Sequence, residues 1–341
     1  MSRIARATPL LVLGLAVALV LVVLLAVGIG SVQVPLADTW HIVLAHLTGS
    51  GQVDDLVADQ IVWRIRLPRV LLAALCGAGL AVAGVVLQAL VANPLADPYV
   101  LGVSSGSSLG AALVFTLGAG ALGGLGVSSA AFLGAMIAVA LVFALGQRRG
   151  RLAPTRLVLA GVAVGYLFSA ATSYVQLSAA PNELRLLMFW LLGSVAGAQW
   201  SQLSIVAVVV VASVLLLVLY GRRLNALLTG DESAAALGVD VRKLRIGLLL
   251  LASLLTGTLI AVSGGIGFVG LMIPHLVRLV VGSDHRRVLP VAALFGAVYL
   301  VLVDLISRTV DSPNELPLGI FTAAFGAPFF LWLLRRNKSV G

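Results

Sequence analysis

Long apolar runs dominate the chain, and short polar or Gly/Pro-rich stretches separate them. A helix of about 20 apolar residues crosses the hydrocarbon core of a bilayer. The runs predict about ten such spans, near 9–30, 67–91, 99–118, 127–146, 155–178, 199–220, 246–263, 267–282, 288–306 and 316–334. They are continuous, as in LLVLGLAVALVLVVLLAVGIG from Leu10, so the alternating segments of a transmembrane barrel are excluded. Two spans are broken by Gly and Pro: NPLADPYVLG precedes the third, and SGGIGFVGLMIP, ending at Pro274, interrupts the eighth. The residues at 36–47 are too short to cross, but Leu36, Trp40, Val43, Leu44 and Leu47 share a helical face, which predicts an interfacial helix within the segment 31–65. APNELRLLMFWLLG (180–193) predicts a second short helix. The segment 221–245 predicts two more outside the bilayer, punctuated by Gly230 and Gly238. The fold class is therefore all-α: a polytopic membrane protein with about ten transmembrane helices and short non-spanning ones, one domain over 1–341. A span that leads into a broken segment occurs twice, at 64–102 and 242–274, in opposite directions, as in an inverted repeat.

Charge orients these spans. With the N-terminus in the cytoplasm, Arg3, Arg6, Arg148, Arg149, Arg151, Arg156, Arg222, Arg223, Arg242, Lys243, Arg245, Arg278, Arg286, Arg287, Arg335, Arg336 and Lys338 all fall on the cytoplasmic side, out of 22 Lys and Arg in the chain. The positive-inside rule supports that orientation, with both termini cytoplasmic. It also accounts for most of the net charge of +9, so no nucleic-acid partner is implied. The exceptions are Arg64, Arg66, Arg69, Arg185 and Arg308, which are expected outside. The apolar run after Arg3 and Arg6 is long for a signal peptide, and no small-residue cleavage site follows, so it reads as a retained span.

Catalytic chemistry is scarce. GVSSG at 102–106 fits the serine-nucleophile pattern, but that elbow needs an α/β sheet. Small residues packing between helices explain it better. Neither lysine, Lys243 or Lys338, sits in a phosphate-binding G-x-x-x-x-G-K loop, so ATP hydrolysis would fall to a separate subunit. Cys76 lies in an apolar run and, being alone, forms no intrachain disulfide. No metal-ligand cluster or cofactor motif is present, and no catalytic residue is assigned. The spans hold few ionisable groups. Asp304, four residues before Arg308, reads as its ion-pair partner, and His275 beside Pro274 as a structural histidine. An ion-coupled secondary transporter usually buries several acids or histidines, so this scarcity argues against one, though Asp304 and His275 keep it open.

Several stretches together resemble one family, the permeases of ABC importers for iron–siderophore complexes, haem and cobalamin (type II importers). They are RLPRVLLAALCGAGLAVAGVVLQAL, NPLADPYVLGVSSGSSLGA, LAGVAVGYLFSA, FWLLGSVAG, GDESAAALGV, GGIGFVGLMIPHLVRLVVGSDHRRVLP and ELPLGIFTAAFGAPFFLWLLRR, covering about 63–336 in the family's order. The resemblance implies a bacterial inner-membrane importer subunit. It also implies a second permease subunit, as a homodimer with the path between the two, two cytoplasmic ATP-binding subunits, and an extracytoplasmic binding protein. The implied cargo is a ferric siderophore, hydroxamate type first, then haem or cobalamin. By resemblance, Arg66, Arg69 and Arg308 dock the binding protein, Asn93 and Leu95 form a cytoplasmic gate, and Pro154 and Thr155 fall near its second half. Pro154 stands where the family's cobalamin permease has a small hydroxyl residue. Gly230, Asp231, Glu232, Leu237 and Gly238 fall on the family's helices that couple to the ATPase. Arg185 is left as a positive group at the outer mouth that would attract an anionic chelate.

Overall fold

The computed structural model of the chain describes residues 2–30, 32–49, 55–148, 151–152 and 154–336. Arg149 and Lys338, and positions 31 and 50–54 of the outer segment, lie outside the described residues. In chain order the helices are α1 (Ser2–Gly28), α2 (Leu36–Thr48), α3 (Leu56–Asp59), α4 (Leu67–Val91), α5 (Val103–Leu117), α6 (Val127–Gly146), α7 (Pro154–Leu177), α8 (Pro181–Leu191), α9 (Trp200–Leu219), α10 (Gly221–Leu227), α11 (Asp231–Ala236), α12 (Val241–Ser263), α13 (Val269–Val281), α14 (His285–Ser307) and α15 (Leu318–Arg336). A two-residue antiparallel ladder pairs Gln147 with Leu152 and Arg148 with Arg151, between α6 and α7. Among the described residues seven helical stretches are long and apolar enough to cross a membrane, and three shorter apolar helices, α5, α13 and the bulk of α15, make up the ten expected.

The centre of the bundle is α4, packed between α14, α12, α13 and α9. Its buried face is built of small residues, so neighbouring backbones come into direct contact. A Cβ on Gly77 would stand 2.1 Å from the carbonyl oxygen of Gly296, and one on Gly84 would stand 2.0 Å from that of Gly270. Lipid tails are as apolar as side chains, so close packing of this kind, rather than the hydrophobic effect, holds membrane helices together. By contrast α1 lies at the edge and keeps Leu10, Leu13, Val17 and Leu21 exposed, as a lipid-facing helix does.

The two breaks make half-length helices. At about 1.5 Å per residue, α5 and α13 fall short of a core about 30 Å thick. Each begins at a left-handed residue, Gly102 (φ 73°) and Phe268 (φ 66°). Long helix, break and short helix thus occur in the same order twice, α4 to α5 and α12 to α13. GVSSG is the start of α5. Its Gly106 meets α6, where a Cβ would come 2.3 Å from the Gly134 carbonyl oxygen, so the motif serves packing.

Bonds between distant segments gather the helix ends into two sets. At one end of the bundle the Trp200 indole N–H donates to the Trp63 carbonyl (2.9 Å), Ser194 N–H to Ser263 O (2.8 Å), and Leu318 N–H to Gly193 O (2.9 Å). At the other end Asn225 accepts from His285 N–H (2.8 Å), and Arg245 donates to Leu90 O (2.7 Å).

One expectation is corrected. Positions 56–65, expected to belong to the outer segment apart from the span at 67–91, run on into that span as one helical stretch, Leu56–Val91, with the arginines of RIRLPR (64–69) inside it. Proline explains the local form. Pro68 has no N–H for the carbonyl four residues back, and its ring would crowd that carbonyl. The backbone widens into a π-helical stretch over Gln60–Arg66, and Leu67 N–H reaches Val62 O, five residues back. The short helix expected at 36–47 is present as α2. It buries Val43 and Ile42, half-buries Trp40, and leaves Leu36, Leu44 and Leu47 as exposed apolar surface. His46 binds Asp59 (2.6 Å) and stacks on Trp63 with ring centroids 4.2 Å apart, which ties α2 to the stretch before α4.

Candidate functional site

The two breaks meet inside the bundle. After α4, Ala92 turns the chain in the left-handed region, and Asn93 Oδ1 accepts the Leu95 N–H (2.9 Å). Asp97 then caps the turn before α5 by accepting the Tyr99 N–H (2.9 Å). The chain continues to Tyr99, whose hydroxyl oxygen accepts the N–H of Ile266 (2.8 Å) in the second break. The second break is held from the outer side as well. Its Gly264 and Gly265 pack on the end of α8, where a Cβ on Gly264 would lie 2.0 Å from the Trp190 carbonyl oxygen.

Beside this junction a cleft of about 520 Å³ lies between α5 and α7. Its polar lining is hydroxyl: Ser104, Ser105 and Ser108 on one side, Ser169, Thr172 and Ser173 on the other. Ser105 donates to Gly102 O (3.0 Å) and Thr172 to Phe168 O (2.8 Å), so these hydroxyls are satisfied by their own helices. The outer face of α7 exposes Tyr166 (76%) and Tyr174 (74%) next to Ser169 and Ser173. Hydroxyls and tyrosines on such a face suit a wet path or a partner better than lipid tails. No ionisable side chain other than Tyr lines the cleft. Such a wall offers many shallow hydrogen bonds and no strong anchor, which lets a bulky polar solute pass without being trapped.

The four residues expected as a gate lie outside this cleft. Asn93 and Leu95 are exposed at the end of α4, and Thr155 is exposed at the start of α7, which Pro154 opens. No hydrogen bond joins the two pairs among the described residues.

The segment expected to couple forms two short helices, α10 and α11. Gly230 (φ 92°) and Gly238 (φ 80°) bracket α11 in conformations that L side chains rarely adopt. Asp231, Glu232 and Leu237 are exposed, Leu237 by 70%, while Ala234 is buried against the bundle. Two links missed at the sequence level carry this segment into the membrane domain. Arg245 on α12 donates to Asp231 Oδ1 (2.7 Å) and to the Leu90 carbonyl (2.7 Å), one residue before α4 ends. Asn225 on α10 donates to Asp284 Oδ1 (2.6 Å) while its own oxygen accepts His285 N–H at the start of α14. Burial works against ionisation of Asp284, but the bonds from Asn225 and Arg286 N–H, with Arg287 and Arg286 beside it, leave its carboxyl below the ordinary range. Only the spacing of Arg245 from the acidic pair at 231–232 hinted at either link.

At the outer end the arginines stand otherwise than expected. Arg66, Arg69 and Arg308 are each no more than 5% exposed. Arg69 donates to Asp304 Oδ1 (2.9 Å) and to Glu315 Oε1 (2.7 Å), and Arg308 lies 3.6 Å from the other Asp304 oxygen. Arg66 caps the end of α1, donating to the carbonyls of Val27 (3.3 Å), Gly28 (3.1 Å) and Val32, and Arg308 donates to that of Ala26. Helix C-termini leave orphan carbonyls that need donors when buried, and the two arginines supply them. Asp304, read as the partner of Arg308, is shared with Arg69. Arg64 and, on α8, Arg185 remain exposed.

Comparison with known proteins agrees with this architecture. The model of the FecCD transport family matches residues 18–336. The chain is 46% identical over 281 residues to the cobalamin import system permease protein BtuC of Halobacterium salinarum, covering 82% of this chain and 75% of that one. It is 40% identical over 341 residues to the hemin transport system permease protein HmuU of Yersinia pestis, covering 98% of each. Among solved structures it is similar to one described as an inward-facing conformation of a metal-chelate type ABC transporter, with a TM-score of 0.83, 35% identity and coverage of 96% of this chain and 99% of that one. A multi-pass helical bundle with paired broken helices, matched from Ala18 to Arg336, leaves one assignment: the chain belongs to the FecCD transport family.

Proposed function

We propose that this chain is the membrane-spanning subunit of an ATP-driven importer that carries a bulky metal chelate by alternating access. The observation that carries the reading is the uncharged, hydroxyl-lined cleft between α5 and α7, set beside two broken helices. A second copy facing the exposed side of α7 would supply the other wall of a path. Two ATPase subunits would seat on α10 and α11, and their closure would reach the end of α4 through Arg245 and the start of α14 through Asn225. Asn93, Leu95, Pro154 and Thr155 would close the path on that side. Both termini would be cytoplasmic, by the positive-inside rule.

An extracytoplasmic binding protein would dock at the opposite end. Arg64 and Arg185 are the exposed cations available there. Arg66, Arg69 and Arg308 would reach its acids only by giving up the bonds they make within the chain. For cargo, relatives named for cobalamin and hemin import move those two ahead of the ferric siderophore expected from resemblance alone. An ion-coupled mechanism finds less support, because Asp304 is locked between Arg69 and Arg308 and does not face the cleft.

The test is uptake into proteoliposomes holding the permease with the ATPase and binding protein encoded beside it. ATP-dependent accumulation of cobalamin, haem or a ferric siderophore supports the reading and names the cargo. Uptake driven by an ion gradient without ATPase overturns it.

A further inference from the structure

Two grooves flank the last turn of α9 at the basic end of the bundle. The larger, about 850 Å³, lies between α9 and α12. Leu216, Leu217, Leu248 and Leu251 make its wall apolar, and Gly247 keeps it open, since a Cβ there would meet nothing within 4 Å. Its mouth carries Arg222, Arg223 and Lys243, all exposed. The single acid in its lining, Asp240, is already engaged: it accepts the Lys243 N–H (3.0 Å) as the cap of α12 and sits 3.2 Å from Lys243 Nζ. Neither Arg222 nor Arg223 has an acidic partner within ion-pair distance among the described residues, and Arg223 lies over the Tyr220 ring at 4.8 Å. The second groove, about 830 Å³ between α1, α9 and α14, repeats the design: Val12, Leu13 and Leu219 line it, with Arg222, Arg286 and Arg287 at the mouth beside Asp284.

An apolar slot running along spanning helices and ending in a cluster of cations has the shape and charge of an anionic amphiphile. Basic pockets between transmembrane helices on the cytoplasmic side recognise acidic lipid headgroups on this principle. We infer that the groove between α9 and α12 binds an anionic phospholipid of the leaflet on the basic side. Its phosphate sits among Arg222, Arg223 and Lys243, and an acyl chain lies along Leu216, Leu248 and Leu251. Because α10 and α11 connect α9 to α12, the bound lipid braces both ends of the segment 221–240. The lining also includes Leu237 and Gly238, so the mouth of the groove borders the face proposed for the ATPase, but the site rests on the groove and its cations and not on the importer reading.

The test is native mass spectrometry of the full-length permease released from nanodiscs of phosphatidylglycerol and phosphatidylcholine in equal parts. Wild type should retain phosphatidylglycerol in preference, and excess inorganic phosphate should leave that adduct in place. Each cation near the headgroups is worth about fivefold. Arg222→Gln, Arg223→Gln and Lys243→Gln together should therefore weaken phosphatidylglycerol retention by about a hundredfold and abolish the preference. Arg222→Lys with Arg223→Lys should keep it. Gly247→Trp, which fills the slot and spares the charges, should lower retention of both lipids, and it decides the matter if the triple variant is not recovered folded. Equal retention of the two lipids by wild type overturns the site. So does displacement by phosphate, undiminished selectivity in the triple variant, or unchanged retention in Gly247→Trp.

Discussion

The two ends of the molecule carry similar charge signals in the sequence and use them in opposite ways. At the outer end, Arg66, Arg69 and Arg308 turn inward onto Asp304, Glu315 and the end of α1. At the basic end, Arg222, Arg223, Asp231, Glu232 and Lys243 stay on the surface, while Arg245 is buried and Arg278 is half-buried, donating to the buried Gln88. The difference lies in the available partners. An arginine is buried without great penalty only where acids or orphan carbonyls meet it. The outer end has a fully buried acid and an uncapped helix terminus within reach, whereas the acids near Arg222, Arg223 and Arg245 are exposed (Asp231, Glu232, Asp240) or half-buried (Asp284), and Asp240 and Asp284 already cap α12 and α14. A run of arginines therefore marks a surface only if nothing in the fold can satisfy it.

The largest effect should come from the outer cluster. Asp304→Ala leaves Arg69 and Arg308 without their shared carboxylate and should destabilise the protein by about 3–5 kcal/mol, read by unfolding in detergent or bicelles. Wild-type stability would mean that the arginines turn out to solvent, and the contrast between the two ends would fail. The next concerns the basic end. Leu237→Arg should abolish copurification with the ATPase while leaving stability within about 0.5 kcal/mol, since the residue is 70% exposed. Gly238→Trp is less clean, because the positive φ there strains any side chain.

Arg245→Gln tests the buried cation of the basic end. It removes a buried charged bond to the Leu90 carbonyl worth about 1.5–3 kcal/mol and a pair with the exposed Asp231 worth about 0–1 kcal/mol, and should uncouple ATP hydrolysis from uptake. Equal hydrolysis per molecule carried would show that force does not pass this way. Arg185→Ala should slow uptake at limiting substrate by about twofold, through association rate alone, and unchanged uptake would leave it an interfacial residue. Smallest is a pH effect at Asp284. Its carboxyl is held below the ordinary range in the folded protein, so its stabilisation is full at neutral pH and is lost as pH falls from about 4 through the lowered value. Acid unfolding of Asp284→Asn should lack that portion of the loss.

Much of this was legible along the chain. Ten apolar segments, the two breaks and the two short helices at 221–236 follow from hydropathy, Gly and Pro, because each depends on residues within a few positions of one another. The continuous stretch from Leu56 to Val91 was hidden, since Pro68 ordinarily marks a helix start and here is absorbed by a π-helical turn. The fate of the outer arginines was hidden as well. Arg69 and Asp304 are 235 positions apart, and Arg66 and Val27 are 39 apart. Local pattern records that a charge exists and on which side of the membrane it falls. Whether it faces water, a lipid or a buried acid depends on which distant backbone packing brings alongside, and in this bundle close contacts such as Gly77 on Gly296 set that.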